Sequence, residues 1–252
     1  MDIKKYIDME NATMPQNIAE SISHAGGITS IAFEDKNLLL ENPELKMECG
    51  YNRLENGEYL VAMYCPMPEV TKEMIEWWFW WHPQANERYE AWYPGEHTKI
   101  SYAKKDADFY KQKTVPAFEP TTQYPYESVG ALTLPLAISF VTPESFGYDP
   151  ELLQKSRVST TVCGHVGAFK GIIQNTEMSH IFFEEPTGGL LAVSRFWLGA
   201  RLKSKLLGKI FLTEKTAKDM ATHACIEYRN FAKKIPMMYK EWEAEQHADL
   251  KK

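Results

Sequence analysis

The stretch Thr213-Glu-Lys-Thr-Ala-Lys-Asp-Met-Ala-Thr-His-Ala-Cys-Ile-Glu-Tyr-Arg-Asn-Phe-Ala-Lys-Lys-Ile-Pro236 decides how this chain is read. At about 100° per residue, Ala217, Met220, Ala221, Ala224, Tyr228 and Phe231 form one apolar stripe. Glu214, Lys215, Lys218, Asp219, Arg229 and Lys233 take the opposite side. Thr213 is placed to cap the first turn and Pro236 to end the helix. A helix with such a stripe needs an apolar surface to lie on. Inside it stands His223-Ala-Cys-Ile-Glu227, and a spacing of four puts both side chains on one face. Glu227 falls on one edge of the stripe and His223 just beyond it, with Thr216 between them. A carboxylate bordering a core is costly unless it is paired or bound to a metal. The spacing leaves two readings open: a grip on one metal ion, or a His–Glu hydrogen bond at the edge of a core.

Upstream of this helix the chain is β-rich. Leu190–Leu198 and the short apolar Met178–Glu184 flank Gly188-Gly189, which reads as a hairpin turn. Val158–His165 alternates, and Val129–Val141 is a long apolar run interrupted by Pro135. Residues 103–128 form a polar, proline-dotted connection. Tyr59–Cys65 reads as a strand stopped by Pro66. Thr71 then caps a helix carrying Trp77-Trp-Phe-Trp-Trp81, which ends at His82 because Pro83 disfavours helical geometry there. Pro94-Gly95 marks a turn before His97, and Thr98–Tyr102 could start a strand. Residues 1 to about 55 mix short helical patterns with turns and carry no chemical motif. Successive antiparallel strands followed by one long helix predict an α+β fold with the helix lying across a curved sheet. The expected division is a small N-terminal part, 1–70, and a main domain, 71–252.

Composition narrows the function. The chain has 252 residues, 44% hydrophobic and 25% charged, a globular balance. A net charge of −6 and a pI near 5.7 argue against nucleic acid as a partner. No apolar run reaches the ~18 residues of a membrane span, and Met1–Asp8 lacks the apolar core of a signal peptide. Cys49, Cys65, Cys163 and Cys225 are widely spaced and form no disulfide framework, so a reduced, cytoplasmic protein is expected. Seven Trp, thirteen Tyr and twelve Phe are an aromatic excess; most belong to a core, and the number also suits a pocket for a flat ring.

Trp80-Trp81-His82-Pro83, Arg88-Tyr89-Glu-Ala-Trp92, His97, Ser194-Arg-Phe-Trp-Leu-Gly199 and the closing His223-xxx-Glu227 together resemble one family. It is the family of zinc-dependent carbon–carbon hydrolases that includes diacetylphloroglucinol hydrolase and phloretin hydrolase. The resemblance spans roughly residues 77–230. It implies a Bet v 1-like helix-grip fold, a homodimer to which the N-terminal part contributes, and one zinc per chain. The implied ligands are His97, Glu127, His223 and Glu227, with Glu96 a rival to Glu127. The implied substrate is a small aromatic ketone, an acyl group on a phloroglucinol ring. Water would attack the exocyclic carbonyl and the ring would leave as a stabilised enolate. Glu127 or Glu227 is a candidate base for the water. Tyr89, at the position of a substrate-binding phenol, also reads as a tyrosine packed on Trp92. His180 is a candidate for handling the ring proton and His165 a second one, although a histidine among apolar residues is often plain core. Trp80, Trp81, Trp92 and Phe182 are candidates to wall the ring. His82 is read as structural, and His24 and His247 as solvated. The competing class is a metal-free binder that holds an apolar aromatic ligand under the long helix.

Overall fold

The computed structural model describes residues 1–203 and 212–249. Among these, nine strands form one antiparallel sheet: β1 (Gly50–Arg53), β2 (Tyr59–Met67), β3 (His97–Lys99), β4 (Thr122–Gln123), β5 (Tyr126–Val129), β6 (Leu132–Val141), β7 (Val158–Ala168), β8 (Ile173–Glu184) and β9 (Leu190–Leu198). Their order is β1-β2-β9-β8-β7-β6-β5-β3, with β4 added alongside β6. Three helices matter for the site: α1 (Lys72–Trp81), α2 (Asn86–Trp92) and the long α3 (Glu214–Asp249). The arrangement is the expected helix grip, a sheet wrapped along one helix and not closed into a barrel. No helix among the described residues is long and apolar enough to cross a membrane.

Alternation decides which strand residues meet α3. Met178, His180 and Phe182 of β8 and Phe196 of β9 face it, among buried Ala217, Ala221, Ala224, Tyr228 and Phe231 of the helix. Cys163 of β7, Ile181 and Phe183 of β8 and Trp197 of β9 face the other way. That outer face is also covered, by Ile28, Ile31, Leu39, Leu40 and Leu45 of the N-terminal segment and by Phe146 and Tyr148. β9 is buried along its whole length, which accounts for its largely apolar run. Gly188 and Gly189 make the expected β8–β9 turn with φ of +95° and +75°.

Two expectations need correction. The helix does not stop at Pro236 but runs on to Asp249. A proline inside a helix costs about 3 kcal/mol, but the extension places Tyr239 and Trp242 on Trp77, at ring distances of 5.2 and 5.7 Å. Buried Ile235 and Met238 add to that packing. β2 pairs with β9 over nine residues, Tyr59↔Leu198 to Met67↔Leu190, and carries β1 at its outer edge. The apolar run Val129–Val141 falls on a hairpin, β5 and β6, turned at Gly130 with φ +63°. There a side-chain Cβ would lie 2.1 Å from Asp219 Oδ2 of α3, so glycine lets the hairpin tip reach the helix. The strand expected at Thr98–Tyr102 starts at His97 and ends at Lys99.

Candidate active site

Three separate parts of the chain converge under the first half of α3. The turn at Gly95 (φ +89°) sends the chain into β3, where His97 lies directly across from Glu127 of β5. Opposed residues on antiparallel strands are neighbours however far apart in sequence. From the helix, His223 and Glu227 descend onto the same spot. His97, Glu127 and His223 each offer one ligand atom, all within 4.8 Å of one another. Glu227 Oε1 stands 3.5 Å from His97 Nε2. Trp92 Nε1 donates to the Glu227 carbonyl at 3.0 Å, fixing α3 against α2. Tyr89 stacks on His97 at 4.1 Å with the rings 7° from parallel, and its hydroxyl donates to Glu127 Oε1.

The electrostatics of this cluster suit a cation. His97 is fully buried and His223 is 4% exposed. Burial, and for His97 the neighbouring His223, hold both imidazoles below their ordinary range, His223 at about 4. Both rings are neutral near pH 7, the form that binds metal. Burial pushes the Glu127 carboxyl up to about 6, and burial with the nearby Glu127 charge raises Glu227 further. Among the described residues, Nε2 of His97 and Nε2 of His223 are buried without a hydrogen-bond partner. Buried polar atoms rarely stay unpaired. Two orphaned imidazole nitrogens beside the Glu127 carboxylate fit a divalent ion that satisfies all three; Glu227 approaches His97 but lies outside this group of ligand atoms. The nitrogen–oxygen donor set admits zinc, as it does iron, manganese or cobalt.

Beside the cluster lies a cavity of about 160 Å³, close to the size that holds one benzene ring. Tyr89, Glu127 and Glu227 line one part of it. Phe79, Trp92, Phe140, Phe196 and Met178 give it an aromatic and apolar wall, and His180 and Tyr228 lie between these. Half-buried Val129, Leu134, Thr216 and Met220, from the β5–β6 hairpin and the start of α3, also border it. His180 is neutral, held at about 3 by burial, and its Nδ1 bonds Ser194 Oγ at 2.7 Å.

The model of one family, described as DAPG hydrolase PhiG domain, matches residues 31–240. This chain belongs to that family. It is 29% identical over 238 residues to a 2,4-diacetylphloroglucinol hydrolase of Pseudomonas sp, covering 84% of this chain and 77% of the relative. It is 27% identical over 254 residues to a phloretin hydrolase of Eubacterium ramulus, covering 94% and 89% respectively. Among solved structures, that of Ara h 8.0201 aligns with 70% of this chain and 99% of its own at a TM-score of 0.34 and 10% identity. The family match extends upstream of residue 77, where the sequence resemblance began, into β1, β2 and the short helical turns that cover the outer sheet face.

Placement of the remaining candidates follows from strand geometry. His165 does not reach the cavity. It lies on the outer face of β7, bonded through Nδ1 to Glu177 Oε2 at 2.6 Å, with Arg201 beside both. His165 and Val166 necessarily point to opposite faces, and it is Val166 that lines the cavity. Phe182 faces the helix but packs behind the cavity wall, 6.4 Å from the Tyr228 ring. Trp80 and Trp81 are buried in the aromatic cluster of α1 and leave the wall to Phe79 and Trp92. Glu96 is not in the group formed by His97, Glu127 and His223. The motif Ser194–Trp197 splits by face: Ser194 holds His180, while Arg195 and Trp197 bond the Leu45 and Ile31 carbonyls of the N-terminal cover. His82, read as structural, stacks on Tyr89 at 5.7 Å, bonds the Trp78 carbonyl and also lines the cavity. Gln123 and Tyr228 were not expected there. Gln123 follows Thr122 in a polar connection, and Tyr228 counted as part of the apolar stripe, so no local signal marked either.

Proposed function

We propose that this chain is a metal-dependent hydrolase that cleaves the carbon–carbon bond between an acyl group and a phloroglucinol ring. The observation that carries the reading is the meeting of two neutral imidazoles and two carboxylates at a ring-sized aromatic cavity. Family membership supports it: the names of both curated relatives point to acylated phloroglucinol rings as substrates. His97, Glu127, His223 and Glu227 would hold one zinc ion per chain, the zinc assignment resting on the family likeness. When bound, the ion would supply Lewis acidity, the chemistry that makes water nucleophilic near neutral pH.

The chain's own groups then divide the work. Phe79 and Trp92 clamp the ring and exclude bulk water. The Tyr89 hydroxyl is engaged by Glu127, so its part is to orient that carboxylate. Glu127 takes a proton from the attacking water, for which a carboxyl near pH 6 is suited. Water adds to the exocyclic carbonyl, and the bond to the ring breaks as the electron pair moves into the ring enolate. The proton held by Glu127 is the one the ring carbon then requires. Neutral His180, steadied by Ser194, holds a ring oxygen during the transfer. Ketone and water give phloroglucinol and a carboxylic acid, with all atoms balanced. We extend the proposal to a cytoplasmic homodimer with the N-terminal part in its contact. The four buried free cysteines are consistent with a reducing compartment.

The test is mass spectrometry of products from phloretin and from mono- and diacetylphloroglucinol, each with and without a chelator. Chelator-sensitive release of phloroglucinol or its monoacetyl form is expected. Protein that contains stoichiometric metal and yields no product from any of the three refutes the reaction. Binding of the same ketones without metal or turnover would favour a ligand-holding role instead. Light scattering in line with size-exclusion chromatography tests the dimer.

A further inference from the structure

We infer that Tyr228 is a substrate-binding residue whose hydroxyl donates a hydrogen bond to an oxygen on the aromatic ring. The inference rests on the proposed reading of the cavity as a site for an oxygenated ring. Tyr228 lies one residue past Glu227 on α3 and forms part of the cavity wall. Its ring is tightly placed: His180 stands 4.8 Å away at 34°, Trp92 6.1 Å away, and Phe231 stacks at 6.1 Å and 18°. Its main chain is also pinned, since Cys65 Sγ donates to the Tyr228 carbonyl at 3.6 Å. The ring therefore cannot swing the hydroxyl out to solvent, and the residue is only 1% exposed.

Yet the Tyr228 hydroxyl has no hydrogen-bond partner among the described residues. Other buried tyrosines here are satisfied: Tyr148 bonds Ser179 Oγ, Tyr110 bonds Thr121 Oγ1, and Tyr89 bonds Glu127. If Tyr228 served packing alone, phenylalanine would fill the same wall, as Phe231 and Phe182 do beside it, without the cost of a dry unpaired hydroxyl. A donor kept at that cost in the wall of a binding cavity is matched to an acceptor that arrives with the ligand. A phloroglucinol ring carries three oxygens at alternate positions, and Tyr228 stands beside His180, the other polar group on this part of the wall.

The test is Tyr228→Phe, read by binding as well as by turnover. Phloroglucinol and benzene are titrated into wild-type and variant protein, with quenching of tryptophan fluorescence as the signal. Loss of one hydrogen bond should weaken phloroglucinol binding roughly ten-fold, while benzene binds both proteins alike. Metal content should be unchanged, and the ligand-free variant should melt no lower than wild type, because no bond within the protein is lost. Equal weakening for both ligands, no weakening for phloroglucinol, failure of wild type to bind phloroglucinol, or a clear drop in melting temperature each overturns the assignment. None of these readouts needs catalysis, so absence of cleavage products would refute the proposed reaction and leave this result to stand separately.

Discussion

Replacing Lys234 by Met tests how α3 is held over the site. Lys234 is completely buried on the long helix, and its Nζ donates to the Ala91 carbonyl of α2 at 3.0 Å. That bond ties α3 to the helix carrying Tyr89 and Trp92. Burial first, and neighbouring Lys233 second, hold the Lys234 ammonium down to about 8 from its usual 10.5. Between these two values the unfolded chain binds the proton and the folded chain does not, so stability rises with pH through that window. Below pH 8 the folded protein carries the full charging penalty, about 3 kcal/mol at pH 7. Integrated from pH 7 to pH 10, relief of the penalty amounts to about 2.5 kcal/mol. Met at 234 removes this dependence but leaves the Ala91 carbonyl unpaired, at a cost of about 1–3 kcal/mol. At pH 7 the two effects nearly offset. At pH 10 the wild type should be more stable than the variant by about that hydrogen-bond cost. Urea unfolding of the chelated proteins, followed by tryptophan fluorescence at each pH, gives the difference directly. A wild-type minus variant difference that stays flat from pH 7 to pH 10 would show that the ammonium is not desolvated in the fold and would sink the argument.

His223→Ala should abolish both metal binding and cleavage, with metal by plasma mass spectrometry falling from one equivalent to under about a tenth, because it removes one of two imidazole donors; a variant that keeps both shows the cluster is misassigned. His180→Gln should lower kcat by on the order of a hundred-fold at unchanged metal content, and a loss of metal in that variant would place His180 in the wrong role. His165→Gln should leave kcat/KM within about two-fold and cost about 1 kcal/mol of stability through its lost bond to Glu177; a large kinetic effect would contradict its position on the outer face. Chelation of the wild type should lower the melting temperature by several degrees, since an ion bound at a hundred times its Kd contributes about 2.7 kcal/mol. An unchanged melting temperature with no metal in the protein as purified would favour the ligand-binding reading.

The amino-acid sequence by itself determined the local features of this protein. Thr213 accepts from the Thr216 amide at 3.1 Å and Thr71 from the Met74 amide at 3.4 Å, caps that hydroxyl chemistry and the following apolar periodicity predict. Gly188-Gly189 turns the β8–β9 hairpin, and His223 and Glu227 share a face because a helix repeats every 3.6 residues. Tertiary structure alone decided the rest. A strand shows two faces to its sequence with equal right, so His180 and His165 looked alike until curvature turned one toward α3 and the other toward Glu177. Pro236 stayed helical because Tyr239 and Trp242 found Trp77, a contact across more than 160 positions that no window of sequence contains. Glu127 met His97 through the β3–β5 register, and the unpaired hydroxyl of Tyr228 became visible only once its neighbours were in place. Local propensity fixes caps and periods, whereas the choice of face, partner and cavity belongs to packing between distant segments.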